Sequence, residues 1–79
     1  MPYVKKTVRG ELRNRLPENA GELNYEICQM LLRYLHFKGE SYQTHCDIQG
    51  VLTGVIHEWT RRKTSPYEDK KIQENGDVF

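Results

Sequence analysis

Residues 22–39 read ELNYEICQMLLRYLHFKG, and this stretch decides the class of the fold. Its apolar side chains recur every three or four residues, which is the spacing of one face of an α-helix. Asn19 followed by Glu22 resembles a capping box and predicts the helix start, and Gly39 predicts the helix end. We therefore predict a core helix and an all-α fold. The apolar stripe consists of Leu23, Ile27, Met30, Leu31, Tyr34 and Leu35, widened by Cys28, Leu32 and Phe37.

A second long helix is predicted from about Ser41 to Lys63. At 1.5 Å per residue this helix would be about 34 Å long. The connection KGES at 38–41 is short, so the two long helices should form an antiparallel hairpin. The apolar side of the second long helix carries Ile48, Val51, Leu52, Val55, Ile56 and Trp59.

Cys46, Gly50 and Gly54 are spaced by four residues and form a ridge of small side chains on this helix. Glycine costs a helix up to ~1 kcal/mol relative to alanine, so two glycines need a compensating reason. Close approach of another backbone would provide it, either in the hairpin or in a subunit interface. The alternative is that the glycines leave room for a ligand ring.

A first, shorter helix is predicted from about Thr7 to Leu16, although Gly10 weakens it. The step to Pro17 should end this helix, because the residue before proline is pushed out of the helical region. Together with the long helices it gives one domain, residues 1–79. The expected architecture is a small helical bundle of three to four helices with a long central antiparallel hairpin.

The last helix is predicted over residues 66 to about 74. Ser65 would be its N-cap, Pro66 its first helical residue and Glu68 its capping-box carboxylate. Gly76 should end it. We expect a bend from Thr64 to Pro66 that separates this helix from the preceding one and turns it across the bundle.

The size of the chain limits its core, because 79 residues bury a small share of their surface. Disulfides are a poor source of extra stability, since Cys28 and Cys46 are the only cysteines and no secretory leader is evident. Oligomerisation is therefore predicted, in a reducing cytoplasm. No apolar run approaches the roughly 20 residues of a membrane-spanning helix, so no membrane partner is expected.

The net charge of +1 conceals an uneven distribution. The first fifteen residues and residues 61–63 are basic, while residues 65–79 carry four acids. This alternation favours recognition of a local ligand or of a second copy, because nucleic-acid binders more often show one strongly basic face. A helix-turn-helix is also disfavoured, since Asp47 and Glu58 on the second long helix would repel phosphates.

Catalytic and metal-binding patterns are not found in the sequence. His36, His45 and His57 have no zinc-site spacing to each other or to the two cysteines. No glycine-rich phosphate loop is present. The sequence therefore predicts a protein that is not an enzyme, with no metal and no cofactor.

Three segments carry a resemblance to a known family: PYVKK at the start, GELNYEI at 21–27 and SPYEDKKIQENGDVF at 65–79. The chain resembles a family of short, uncharacterised proteins found mostly in bacteriophages and prophages. The resemblance spans nearly the whole chain and is most specific at its two ends. It implies an accessory protein that acts in the cytoplasm of an infected bacterium.

The candidate binding residues are polar aromatics with charged or amide neighbours. Tyrosine offers a stacking face, lysine and arginine meet phosphate, and asparagine or carboxylate meets ribose hydroxyls, so the set suits a nucleotide. An ordinary structural role is the alternative for each residue, since tyrosines often lie half-buried at helix ends. The candidates are Tyr3, Asn24, Tyr25, Arg61, Arg62, Tyr67, Glu68, Asp69, Lys70 and Lys71.

The phage setting favours one function among binding proteins. Small oligomeric phage proteins sequester nucleotide second messengers of bacterial immunity, and this chain resembles that class. The predicted ligand is an ADP-ribose-derived or cyclic nucleotide, bound without cleavage. A protein–protein interaction module that inhibits or redirects a host protein is the main alternative, and a small DNA-binding regulator is a further one.

Overall fold

The computed structural model describes residues 4–79, apart from the side chain of residue 13. These residues form helices, turns and no strand, which confirms the all-α prediction. In the described part of the chain, no helix is both long and apolar enough to cross a membrane. The α-helices are α1 (Lys6–Arg9), α2 (Ala20–Lys38), α3 (Tyr42–Trp59) and α4 (Ser65–Asn75), with a 3-10 helix at Glu11–Arg13 and a π-helix at Thr60–Thr64.

The chain divides into two compact units, Met1–Thr44 and His45–Phe79. The first unit holds α1, the 3-10 helix and α2, and the second holds most of α3, the π-helix and α4. The antiparallel hairpin involves both units and stays a prediction. A single domain and oligomerisation stay predictions as well.

α2 begins and ends where the sequence predicts. The Asn19 side chain accepts a hydrogen bond from the Glu22 backbone N–H at 2.9 Å, and the Glu22 carboxylate accepts one from the Glu18 N–H at 3.0 Å. The first bond satisfies one free N–H group of the helix start, and the second holds the residue before the cap against the first turn. Gly39 follows the last turn at φ 85°, a backbone conformation that favours glycine, and donates its N–H to the Leu35 carbonyl at 2.8 Å.

The turn between α2 and α3 is fixed by a buried threonine. Thr44 donates its backbone N–H to Ser41 Oγ at 3.1 Å and its hydroxyl to the Gly39 carbonyl at 3.0 Å. Ser41 therefore caps α3, and Thr44 ties this cap to the end of α2.

The N-terminal helix is shorter than predicted. Instead of one helix over 7–16, the chain forms α1, then Gly10 in helical conformation, then the 3-10 helix. Glycine at this position weakens the α-helix, and the tighter 3-10 turn replaces its second half. This segment supplies the buried hydrophobic residues of the described chain, Val4 and Leu12.

The predicted break between the last two helices is wrong. The backbone is helical without interruption from Tyr42 to Asn75, and Ser65 lies at φ −63°, ψ −45°, so it is not an N-cap. Its N–H donates to the carbonyl of Thr60, five residues earlier, which is the π-helical pattern. This wider turn accommodates Pro66, whose ring would otherwise crowd the carbonyl four residues before it. α4 then ends at Gly76, as predicted.

The core role predicted for α2 is also wrong for the chain by itself. None of its side chains is fully buried, and several large apolar residues of α3 are more than half exposed. The glycine ridge is open as well, since a Cβ atom at Gly50 or Gly54 would meet nothing within 4 Å. Its use in a subunit interface or beside a ligand stays a prediction.

Candidate functional site

The C-terminal unit brings three of the candidate residues into one groove. Tyr67, Glu68 and Lys71 line an open groove of about 370 Å³, together with Ile72 and residues 75–79. α4 ends at Gly76, which adopts φ 84° and donates its N–H to the Ile72 carbonyl at 2.8 Å, and residues 77–79 follow it. One wall is therefore the last turns of α4, and the other is the C-terminal segment.

An aromatic ring and a cation meet inside this groove. Lys71 Nζ lies 5.6 Å from the centre of the Tyr67 ring and 3.1 Å from Glu74 Oε2. The spacing of four residues in α4 places Tyr67 and Lys71 on the same face. Tyr67 is 61% exposed, so the ring is accessible to a ligand while the ammonium group is held beside it.

The other charged candidates of this unit do not line the groove. Arg62 Nε lies 2.9 Å from Glu58 Oε2, and Arg61 Nη1 lies 3.9 Å from Glu58 Oε1. The first is an i,i+4 pair and the second an i,i+3 pair on one continuous helical stretch. Exposed ion pairs of this kind contribute little to stability. Asp69 and Lys70 are exposed on α4 and lie outside the groove lining.

The candidates in the N-terminal unit are engaged in local packing. The Arg9 guanidinium lies 5.5 Å from the centre of the Tyr25 ring, and Asn24 Oδ1 accepts a hydrogen bond from Cys28 Sγ at 3.4 Å. These contacts fit the structural alternative for Tyr25 and Asn24. Tyr3 lies outside the described residues.

Sequence reasoning missed an ionic cluster centred on Arg15. Its guanidinium donates two hydrogen bonds to the Glu22 carboxylate, at 2.6 and 3.2 Å, and lies 3.8 Å from carboxylate oxygens of both Glu11 and Glu18. The paired bonds to Glu22 tie the N-terminal segment to the first turn of α2. The sequence does place acids four residues before and three residues after Arg15, a spacing typical of ion pairs. The contact with Glu22 depends on the turn between Arg15 and Glu22.

The Arg15 cluster predicts an acid-sensitive contribution to stability. The hydrogen bond from Arg15, helped by the Glu18 N–H, holds the pKa of Glu22 below its usual 4.5. The same hydrogen bond raises the pKa of Arg15. Because the folded-state pKa of Glu22 is depressed, its contribution is complete above the unfolded-state value and is lost as pH falls through the folded-state value.

Urea unfolding at fixed protein concentration, from about pH 7 to about pH 2, measures this effect. Glu22→Gln should lower the free energy of unfolding at neutral pH, and its difference from the wild type should shrink in acid. Glu68→Gln, outside the cluster, is the control and should run parallel to the wild type. A Glu22→Gln difference that is constant over the whole pH range would contradict the assignment.

A second hollow lies at the C-terminal end of α2. It has a volume of about 450 Å³ and is lined by Leu32, Leu35, His36, Gly39 and Glu40. No candidate residue from the sequence lines it. Over residues 4–79, no group of three or more His, Cys, Asp and Glu side chains is placed to hold a metal ion.

The fold and the groove define a small all-α protein with an exposed aromatic and cationic site near its C-terminus. A family model described as "Domain of unknown function (DUF6899)" matches residues 1–78. The chain therefore belongs to the DUF6899 family. No curated protein and no solved structure matches it.

Proposed function

We propose that this protein is a phage accessory protein that binds a nucleotide-type immune messenger and sequesters it without cleavage. The ligand class is an ADP-ribose-derived or cyclic nucleotide, taken up in the bacterial host cytoplasm to counteract anti-phage defence. The observation that carries the proposal is the Lys71 ammonium 5.6 Å from the Tyr67 ring in an open groove. The resemblance to phage proteins supplies the biological setting.

The groove offers the three kinds of contact that a nucleotide uses. The Tyr67 ring provides a face for a base, since base–aromatic stacking tolerates any base. Lys71 provides a point charge for phosphate. The Glu68 carboxylate can accept hydrogen bonds from ribose hydroxyls. A volume of about 370 Å³ lies at the small end of the range for ligand sites, so part of a dinucleotide would remain outside the groove.

Ligand depletion followed by recovery tests this function. Purified protein in excess is mixed separately with ADP-ribose, cyclic ADP-ribose and cyclic GMP–AMP, the free ligand is separated by ultrafiltration, and the protein is then denatured. Loss of free ligand and recovery of the intact compound are expected for at least one probe. Recovery of a chemically altered compound would show that the protein is an enzyme. Full recovery of every probe in the free fraction would refute nucleotide sequestration, and adenosine, which lacks phosphate, is the control.

A protein–protein interaction module is the second candidate, favoured by exposed apolar side chains on α3. Val51, Val55, Ile56 and Trp59 are each more than half exposed, and large exposed apolar patches often mark interaction sites. If the protein acts through a protein partner, the double variant Val55→Gln/Trp59→Gln should no longer counteract anti-phage defence in infected cells. Tyr67→Ala should still counteract it. The opposite pattern is expected for sequestration in the groove.

A further inference from the structure

The exposed face of α2 repeats with a spacing of four, three, four and three residues. Its members are Leu23, Ile27, Met30, Tyr34 and Phe37, with exposures of 51%, 45%, 62%, 38% and 85%. Large apolar side chains with an average spacing of 3.5 residues are typical of the seam between two helices that pack along their length. We call these five residues the α2 seam.

Other sides of α2 already have neighbours in the same unit. Tyr25 contacts Arg9, and Glu22 is bound by Arg15. Neither residue belongs to the seam, because both project from other parts of the helical circumference. These two contacts with the N-terminal segment therefore lie away from the seam.

Two opposite charges flank the seam on one side. Glu26 and Arg33 are seven residues apart, so both occupy the position immediately before a seam residue. Within the described chain, no ion pair involves either of them. Flanking charges of this kind select the partner and the direction of a helix pair.

We propose that the α2 seam is an interface with the α2 seam of a second copy, packed antiparallel about a two-fold axis. With Ile27 facing Met30 of the second copy, Leu23 faces Tyr34. In an antiparallel pair, the side of α2 that carries Glu26 and Arg33 lies against the same side of the second copy. Glu26 therefore lies beside Arg33 of the second copy. The two-fold axis repeats this pair.

The flanking charges disfavour the parallel alternative. In a parallel pair, Arg33 would meet Lys38 of the second copy, because flanking positions then pair five residues apart. Like charges would be brought together, and Glu26 would face Leu31. The antiparallel arrangement instead satisfies both charges and covers the apolar seam, so the surface of α2 is self-complementary.

Charge reversal provides the test, with sedimentation equilibrium over about 1–200 µM protein at low salt as the measurement. Wild type is expected to dimerise. Glu26→Arg and Arg33→Glu should each weaken dimerisation on the order of tenfold, because each creates two like-charge pairs. An equimolar mixture of the two variants should form a heterodimer, and the double variant Glu26→Arg/Arg33→Glu should recover the homodimer.

Lys70→Glu is the matched control, since it reverses an exposed charge on α4 and should leave dimerisation unchanged. Far-UV circular dichroism checks that every variant keeps its helix content. A wild type that stays monomeric throughout would refute the proposal, as expected if α3 of the same chain covers the seam. A dimer that is insensitive to both single reversals would also refute it. None of these residues lines the nucleotide groove. A negative result for dimerisation would therefore leave the result of the ligand-depletion experiment unaffected.

Discussion

Tyr67→Ala is expected to weaken binding of the nucleotide-type ligand by roughly 5- to 150-fold. This range corresponds to the ~1–3 kcal/mol that a base loses with its aromatic stacking partner. Alanine also removes the ring beside which the Lys71 ammonium is held. Isothermal titration with the nucleotide that the depletion experiment identifies measures the change.

Tyr42→Ala is the matched control for Tyr67→Ala. Tyr42 is 87% exposed at the start of α3 and lies outside the groove lining, so its removal should leave the affinity unchanged. Equal affinities of the wild type and the Tyr67 variant would place the binding site elsewhere. Lys71→Met should separately reduce the salt dependence of binding, because it removes the cation for phosphate.

Leu12→Ala is expected to lower the free energy of unfolding of the N-terminal unit by about 2–5 kcal/mol. Leu12 is 6% exposed and is one of two buried hydrophobic residues of the described chain. Truncating it removes apolar contacts and leaves a cavity that few neighbours can fill. The segment over 5–15 should consequently separate from α2 more often.

Two measurements detect this loss. Urea unfolding followed by circular dichroism reports the global change, and limited trypsin digestion under native conditions reports opening of the segment, since cleavage after Arg9 or Arg15 requires it. Leu16→Ala is the control, because Leu16 is 83% exposed and its truncation should change stability little. Equal behaviour of the two variants would show that burial of Leu12 does not hold the segment in place.

Some features of the site were within reach of the sequence and others were not. Tyr67, Glu68 and Lys71 are candidates from their chemistry, and all three line the groove, while their binding role stays a prediction. The far wall, residues 75–79, was not identified, since its contribution depends on the direction in which the chain leaves Gly76. The pairing of Arg61 and Arg62 with Glu58 was not predicted, although spacings of three and four residues are those of helical ion pairs.

The sequence by itself determined the all-α class and the ends of α2 and α4. These features depend on interactions within about four residues: the Asn19 cap, the periodic apolar residues and the glycines that end each helix. Such interactions are specified wherever the segment is placed.

Only the structure decided the path from α3 to α4. A serine cap is worth about 1 kcal/mol, which is small enough for continued helix formation to override it, and the π-helix at Thr60–Thr64 removes the crowding that Pro66 would cause. The bonds of Arg15 to Glu22 also needed the folded chain. The turn between Arg15 and Glu22 brings these two side chains together, and the periodicity of the sequence does not predict this contact.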